Sequence, residues 1–208
     1  MVLETSELVQ LKQNIETSVG ESTPTEAEHG FPLPLIEVGV LKVDKSPRYL
    51  IIDPYPSTFI EEELEQAQLI KSRVESLDPV FFEQLQANDV LFIDSGHSVR
   101  IGSDVNFLFL DVLPRLAPGV LVHIHDINLP YEYHKVYATN ESFRQFWTEQ
   151  YLLQAFLSYN DQFEILLGMY YLMKDHLENF RQSFPHYDSN QHLLMGSSFW
   201  FRRKPLKA

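Results

Sequence analysis

The stretch from Asn88 to Pro130, NDVLFIDSGHSVRIGSDVNFLFLDVLPRLAPGVLVHIHDINLP, constrains the fold more than any other part of the chain. It holds two apolar runs, each closing on an acid, VLFID and VLVHIHD. Both are rich in leucine and β-branched residues and show no alternation, the pattern of strands buried on both faces of a parallel sheet. Between them lie a polar turn (SGHS), a helix-like segment and a Pro-Gly turn. Parallel strands need a crossover, and Ser103 to Leu116 is long enough to be a helical one. Both strands then point the same way, and Asp94 and Asp126 emerge on one sheet edge. Open α/β sheets bind ligands outside the carboxyl ends of their strands, so this edge is the expected site.

The rest of the chain extends the pattern. Residues 1–30, poor in aromatics and rich in Glu, Ser and Thr, read as a flexible arm, and residues 31–208 as one domain. A short strand is expected around Leu35 to Leu41, then a strand RYLIID ending at Asp53. A helix from Thr58 to Gln68 follows, with Thr58 as N-cap and acids in the first turn. LIKSRVES reads as a strand and Pro79 to Gln86 as a short helix. Beyond Pro130 come an aromatic loop (Tyr131 to Thr139) and a helix ESFRQFWTEQYLLQAFLS capped by Asn140. A strand FEILLG, a segment of helical character (Tyr170 to Phe184) and a last strand SSFWFRRK complete the chain. Alternating strands and helices predict an α/β three-layer sandwich, Rossmann-like, with a mostly parallel sheet and an antiparallel last strand.

Charge and composition exclude several functions. The net charge of −13 disfavours nucleic acid and anionic membranes, which select clustered Lys and Arg. With no cysteine there is no thiol nucleophile, disulfide or zinc–thiolate site, which fits a cytoplasmic protein. No apolar run reaches the roughly 20 residues that span a bilayer. A small-molecule substrate is the expected partner, and homo-oligomerisation is left open.

The edge residues carry the chemistry. Asp94 and His97 lie three apart in a loop, and His123, His125 and Asp126 crowd the neighbouring strand end. Alternation puts His123 and His125 on one face and Asp126 on the other, unless the strand stops at His125. Asp94 and Asp126 can hold a divalent ion, with His97 or His125 as a further ligand, a donor set suited to Mg, Mn or Fe. The alternative is that the histidines cap strand ends through loop hydrogen bonds. Asp104 is expected to serve the dipole of the crossover helix. Tyr131, Tyr133 and His134 either form a lid over an aromatic or sugar substrate or pack as plain loop. Phe146, Trp147 and Phe156 are expected in the core, and Arg202, Arg203 and Lys204 as solvated charge.

The segments IIDPYP, FIDSGH, GSDVNFLFLDVLPRLAPGVLVHIHDINLP, FRQFWTEQYLLQAFLSYN and MGSSFWFRRK resemble the class I S-adenosylmethionine-dependent methyltransferases, specifically a bacterial group of the methyltransferase-24 kind. The resemblance implies that Asp53, at the end of the second strand, binds the cofactor ribose, with Asp94 and Ser95 also on the cofactor side. A turn-forming Asp before Pro54 is the other reading of Asp53. The family's glycine-rich cofactor loop follows its first strand. Here only Glu37-Val38-Gly39 matches, making Gly39 the candidate loop glycine. The residues between Gly39 and Arg48 are too few for a loop and a crossover helix, so the first βα unit is expected to be shortened or missing. By resemblance to catechol O-methyltransferase-like enzymes, Asp94 and Asp126 match the metal-binding acids, while the family's third ligand, an Asn, is replaced by Ile127. The implied reaction is metal-assisted methyl transfer to a hydroxyl of a small molecule, with His97 as first and His125 as second candidate for the base. Two other functions stay open: a non-catalytic domain that has lost the cofactor loop, or another metal-dependent enzyme, a hydrolase or oxygenase, using the Asp/His cluster.

Overall fold

A computed structural model describes residues 38–42, 48–56, 67–139, 145–184 and 197–205. The expected arm at 1–30, the body of the helix expected from Thr58, and Asn140 lie outside these residues. The strands are β1 (Val38–Lys42), β2 (Arg48–Ile52), β3 (Ala67–Ile70), β4 (Val90–Ile93), β5 (Leu121–Ile124), β6 (Phe163–Gly168) and β7 (Phe199–Arg203). They form one sheet in the order β3-β2-β1-β4-β5-β7-β6.

Strand direction follows from the pairings. β2 is parallel to β3 and β4 to β5, whereas β7 is antiparallel to both β5 and β6. β1 is antiparallel to both its neighbours, β2 and β4. Five strands therefore share one direction, and β1 and β7 run against them. The expected Rossmann-like α/β sheet with an antiparallel last strand is borne out. The shortened first unit takes a definite form: β1 is reversed. Only residues 43–47 join Lys42 to Arg48, and a connection that short returns the chain antiparallel.

Between β4 and β5 the chain is helical from Asp104 to Arg115. An α-helical turn, α1 (Asp104–Phe107), passes into a π-helical turn (Leu108–Val112) and a 3-10 turn (Leu113–Arg115). Ser103 starts it, its Oγ accepting from Asn106 N at 3.3 Å. Val105, Leu108, Phe109, Val112 and Leu113 face Leu91, Ile93, Val122 and Ile124 of the sheet, all fully buried. Each such side chain contributes roughly 1.5–3 kcal/mol relative to exposure. A short α2 (Val136–Thr139) leads to α3 (Glu149–Leu157), which joins this layer through buried Leu153. The opposite face carries Val90, Leu121 and Trp200, covered by Leu172 and Met173 of α4 (Met169–Asp175) and Phe180 of α5 (Leu177–Ser183). Two helical layers thus enclose the sheet, giving the three-layer sandwich.

Several local expectations are corrected. Residues 67–70, expected partly as the end of a helix, form β3, while Val74–Ser76 is a 3-10 turn instead of strand. The helix expected across 141–158 begins at Glu149, and residues 145–148 are non-helical. Phe146 is 71% exposed and is no core residue. Trp147 leaves the core to lie against the His97 ring, tilted at 45°. Phe156 does pack against the core, edge-on to Phe109. Arg203, expected in solvent, is buried over the ring of Phe163, and Arg202 pairs with Glu164. Among the described residues no helix is long and apolar enough to cross a membrane.

Candidate active site at the carboxyl edge of the sheet

β4 ends at Ile93 and the chain turns through Asp94, Ser95, Gly96 and His97. β5 ends at Ile124, and His125 N donates to Ile93 O at 2.8 Å, keeping the two loops side by side. Both turns use left-handed backbone, with φ of 53° at His97 and 58° at Asp126. This conformation costs about 1–2 kcal/mol at a non-glycine residue and persists where surrounding contacts enforce it. At His97 they do: Thr148 N and Glu149 N both donate to its carbonyl, at 2.8 and 3.1 Å. Asp104 reaches back from α1 and accepts from Gly96 N at 2.5 Å. Its role therefore extends beyond the helix dipole to holding the loop.

The side chains converge. His97, 6% exposed, directs Nδ1 at the fully buried Glu149, with Oε2 2.7 Å away. The Glu149 Oε1 accepts from Ser95 Oγ at 2.7 Å. The other ring nitrogen of His97 faces Asp94 Oδ1 at 3.4 Å and Asp126 Oδ2 at 3.6 Å. Asp126 Oδ1 lies 3.2 Å from His125 Nδ1 and accepts from Ser197 Oγ at 2.7 Å. The strand stops at Ile124, so Asp126 swings back to the side of His125 and joins one site. His123 stands apart from this cluster, stacked on His125 and packed between Phe92 and Trp200. Its Nε2 has no hydrogen-bond partner among the described residues, so it does not cap the strand.

Electrostatics follow from this crowding. Burial opposes an imidazolium at His97, yet Asp94, Glu149 and Asp126 outweigh it and push its pKa up to about 10. Burial raises Glu149, and His97 and Ser95 offset this only in part. Both shifts of this pair are upward: they favour the charged form of His97, whose ring faces three carboxylates, and disfavour the charged form of Glu149. Asp126 raises His125. Asp126 itself is raised by burial but lowered further by His125 and Ser197, for a net decrease. Burial pushes His123 down to about 3.

The cluster suits a divalent cation. One ligand atom each from Asp94, His97 and Asp126 lies within 4.8 Å of the others. Neighbouring ligands of an ion bound at about 2.1 Å stand about 3 Å apart, so the His97 spacings of 3.4 and 3.6 Å need only a small contraction. Asp94 Oδ1 and His125 Nδ1 are buried atoms without a hydrogen-bond partner among the described residues, 4.0 Å from each other. Such orphans are costly without a ligand. To ligate an ion His97 gives up its Nε2 proton, and three carboxylates with one neutral imidazole then formally leave three negative charges over.

Aromatic rings wall the cluster. Trp147 lies 4.4 Å from the His97 ring, and Tyr133 and Tyr137 meet Trp147 at 5.8 and 5.0 Å. Tyr131, paired with Asp175 and with Lys174 over its ring, sits farther out toward α4. The loop tyrosines therefore divide between the site and its periphery.

The cofactor side is uneven. Asp53 lies at the end of β2, buried, with one carboxylate oxygen accepting from Tyr55 N at 2.7 Å in the turn. It occupies the expected place and also forms the expected turn. Gly39 is corrected: it lies inside the β1 ladder opposite Ile51 and Phe92, and no loop follows it at this edge. The amino end of β1, Val38, is level with Ile52 and Ile93. The acids of β2 and β4 thus lie at one sheet edge, where β1 offers no glycine loop. Ser95, expected on the cofactor side, turns its hydroxyl to Glu149.

Residues 37–127 match a family model described as a methyltransferase domain. Over this stretch the chain is similar to methyltransferase domains. The match runs from the residue before β1 to the one after Asp126, and so takes in Asp53, Asp94, His97 and Asp126. The family uses S-adenosylmethionine. No curated protein and no solved structure matches the chain.

Glu149 and Gln150 lie beyond the match and were not singled out by sequence; Trp147, also beyond it, was expected in the core. Gln150 is buried beside Glu149 and accepts from Asn128 N at 3.1 Å. The usable signal was Thr148-Glu149, a helix-start pair inside a segment read as continuous helix.

Proposed function

We propose that this methyltransferase-family chain transfers a methyl group to a hydroxyl of a small molecule, assisted by a divalent cation at Asp94, His97 and Asp126. The observation that carries the reading is the convergence of two carboxylates and an imidazole nitrogen at the ligand-binding edge. Carboxylate and imidazole donors suit Mn or Mg, and imidazole also favours Fe. When bound, the cation lowers the pKa of the acceptor hydroxyl and orients it.

The chain's own residues divide the remaining work. His97 is enclosed, with both nitrogens engaged within the cluster, and serves as a ligand. The His125 side chain is 41% exposed beside Asp126 and is the group placed to take the hydroxyl proton. Trp147, with Tyr133 and Tyr137 set edge-on to it, offers an apolar wall for a ring-shaped acceptor, aromatic or sugar. Asp53 takes the cofactor ribose, with Asp94 beside it on the cofactor side. The acidic, cysteine-free composition fits a cytoplasmic enzyme of small molecules.

The reversed β1 favours a second reading, a methyltransferase-like domain that no longer binds the cofactor. Calorimetric titration with S-adenosylhomocysteine, with and without Mn, separates the two. Binding that disappears in Asp53→Ala supports the enzyme. No heat from a folded sample at millimolar ligand leaves the second reading.

A further inference from the structure

Resting on the cation reading above, we infer that Glu149 is a positioning residue. It clamps the His97 ring through Nδ1 so that Nε2 is presented to the Asp94–Asp126 pair. The geometry is specific. Glu149 is fully buried, and each carboxylate oxygen has one short partner, His97 Nδ1 at 2.7 Å and Ser95 Oγ at 2.7 Å. A buried carboxylate without partners is expensive.

The same segment fixes His97 from three further directions. Thr148 N and Glu149 N hold its carbonyl, which secures the left-handed backbone. Thr148 Oγ1 accepts from Val99 N at 2.7 Å, pinning the loop just beyond. Trp147 lies against the ring face at 4.4 Å. Ring tilt, ring rotation and backbone are therefore all set by residues 147–149. With Nδ1 committed to Glu149, the only ring nitrogen left for an ion is Nε2. Carboxylates that hold a ligating histidine in this way raise its basicity and typically account for 10–100-fold in metal affinity.

The test compares wild type, Glu149→Gln and Ser95→Ala in the full chain. Manganese affinity is followed by the loss of the free-ion paramagnetic resonance signal. Glu149→Gln keeps the shape and volume of the side chain but loses its charge, and is expected to weaken Mn binding 10–100-fold. Ser95→Ala keeps the carboxylate on His97 and is expected to change affinity less. In parallel, proton NMR of ring-15N-labelled protein should show a far-downfield, solvent-protected Nδ1 proton of His97 in the metal-free wild type. It should move upfield or vanish in Glu149→Gln while the backbone spectrum of the core is kept.

An unchanged Mn affinity in Glu149→Gln, or an unchanged Nδ1 proton, overturns the inference. A wild type that fails to bind Mn refutes the cation reading instead, and the Nδ1 proton still decides whether Glu149 orients the ring. If Glu149→Gln does not fold, Glu149→Asp is read by the same two signals. Shortening the reach by one methylene must then weaken both.

Discussion

His97 and His125 stand one strand apart, yet their surroundings assign them different work. His97 is closed in by Glu149, Asp94, Asp126 and Trp147, while His125 opens to solvent. His125→Gln should therefore lower turnover by about 10²–10⁴-fold, the usual worth of a proton acceptor. Its Mn affinity should stay within a few-fold of wild type; a parallel loss of both would make His125 a ligand. His123 yields a separate expectation. Burial holds its pKa at about 3, below the 6.5 of an unfolded histidine. The unfolded chain then binds the extra proton first, so stability falls as pH drops through the window from about 6.5 to 3. The full loss is on the order of 5 kcal/mol. His123→Phe, which keeps the ring between Phe92 and Trp200, should flatten that part of the stability curve in urea titrations at pH 7, 5 and 4. An unchanged slope would place the acid sensitivity elsewhere.

At the scale of elements, the strands β4 and β5 and their crossover were legible because each is an apolar run with turn residues at its ends. The Pro118-Gly119 turn is one of these signals, and its geometry explains it. Gly119 has φ of 89°, and a Cβ there would lie 2.6 Å from the Cβ of Ala87. Gly119→Ala should cost about 2–4 kcal/mol in denaturant unfolding, combining left-handed backbone with overpacking. A loss below 1 kcal/mol would mean that the turn rearranges freely. The start of α3 was marked only by the Thr148-Glu149 pair, which the surrounding pattern overrode. Phe143, Phe146 and Trp147 carry helical apolar spacing, which hid the break before Glu149. A buried Glu also reads in sequence like any solvated acid in a first helical turn. Nothing local distinguishes Glu149 or Gln150 from surface residues, because their partners, His97 and Asn128, are far away in the chain.

For the whole molecule, the sheet keeps its acids at one carboxyl edge while reversing an interior strand, β1. The short link from Lys42 to Arg48 announced that a crossover was missing. It did not announce that β1 would stay in the sheet and run backwards between β2 and β4. The acids of β2, β4 and β5 still end on one side, so the charged half of the site survives that change. An ion held there binds only the folded state, and should stabilise it by about 2.7 kcal/mol at a hundredfold excess over its dissociation constant. Thermal unfolding should accordingly move up on adding Mn and return on adding a chelator.

The most direct measurement of the central claim is the stoichiometry of Mn binding by paramagnetic resonance in wild type, Asp94→Asn and Asp126→Asn. The account predicts one tight ion per wild-type chain and at least a tenfold weaker site in each variant, with folding retained. Absence of a tight ion in the wild type, or equal binding in all three proteins, would contradict it.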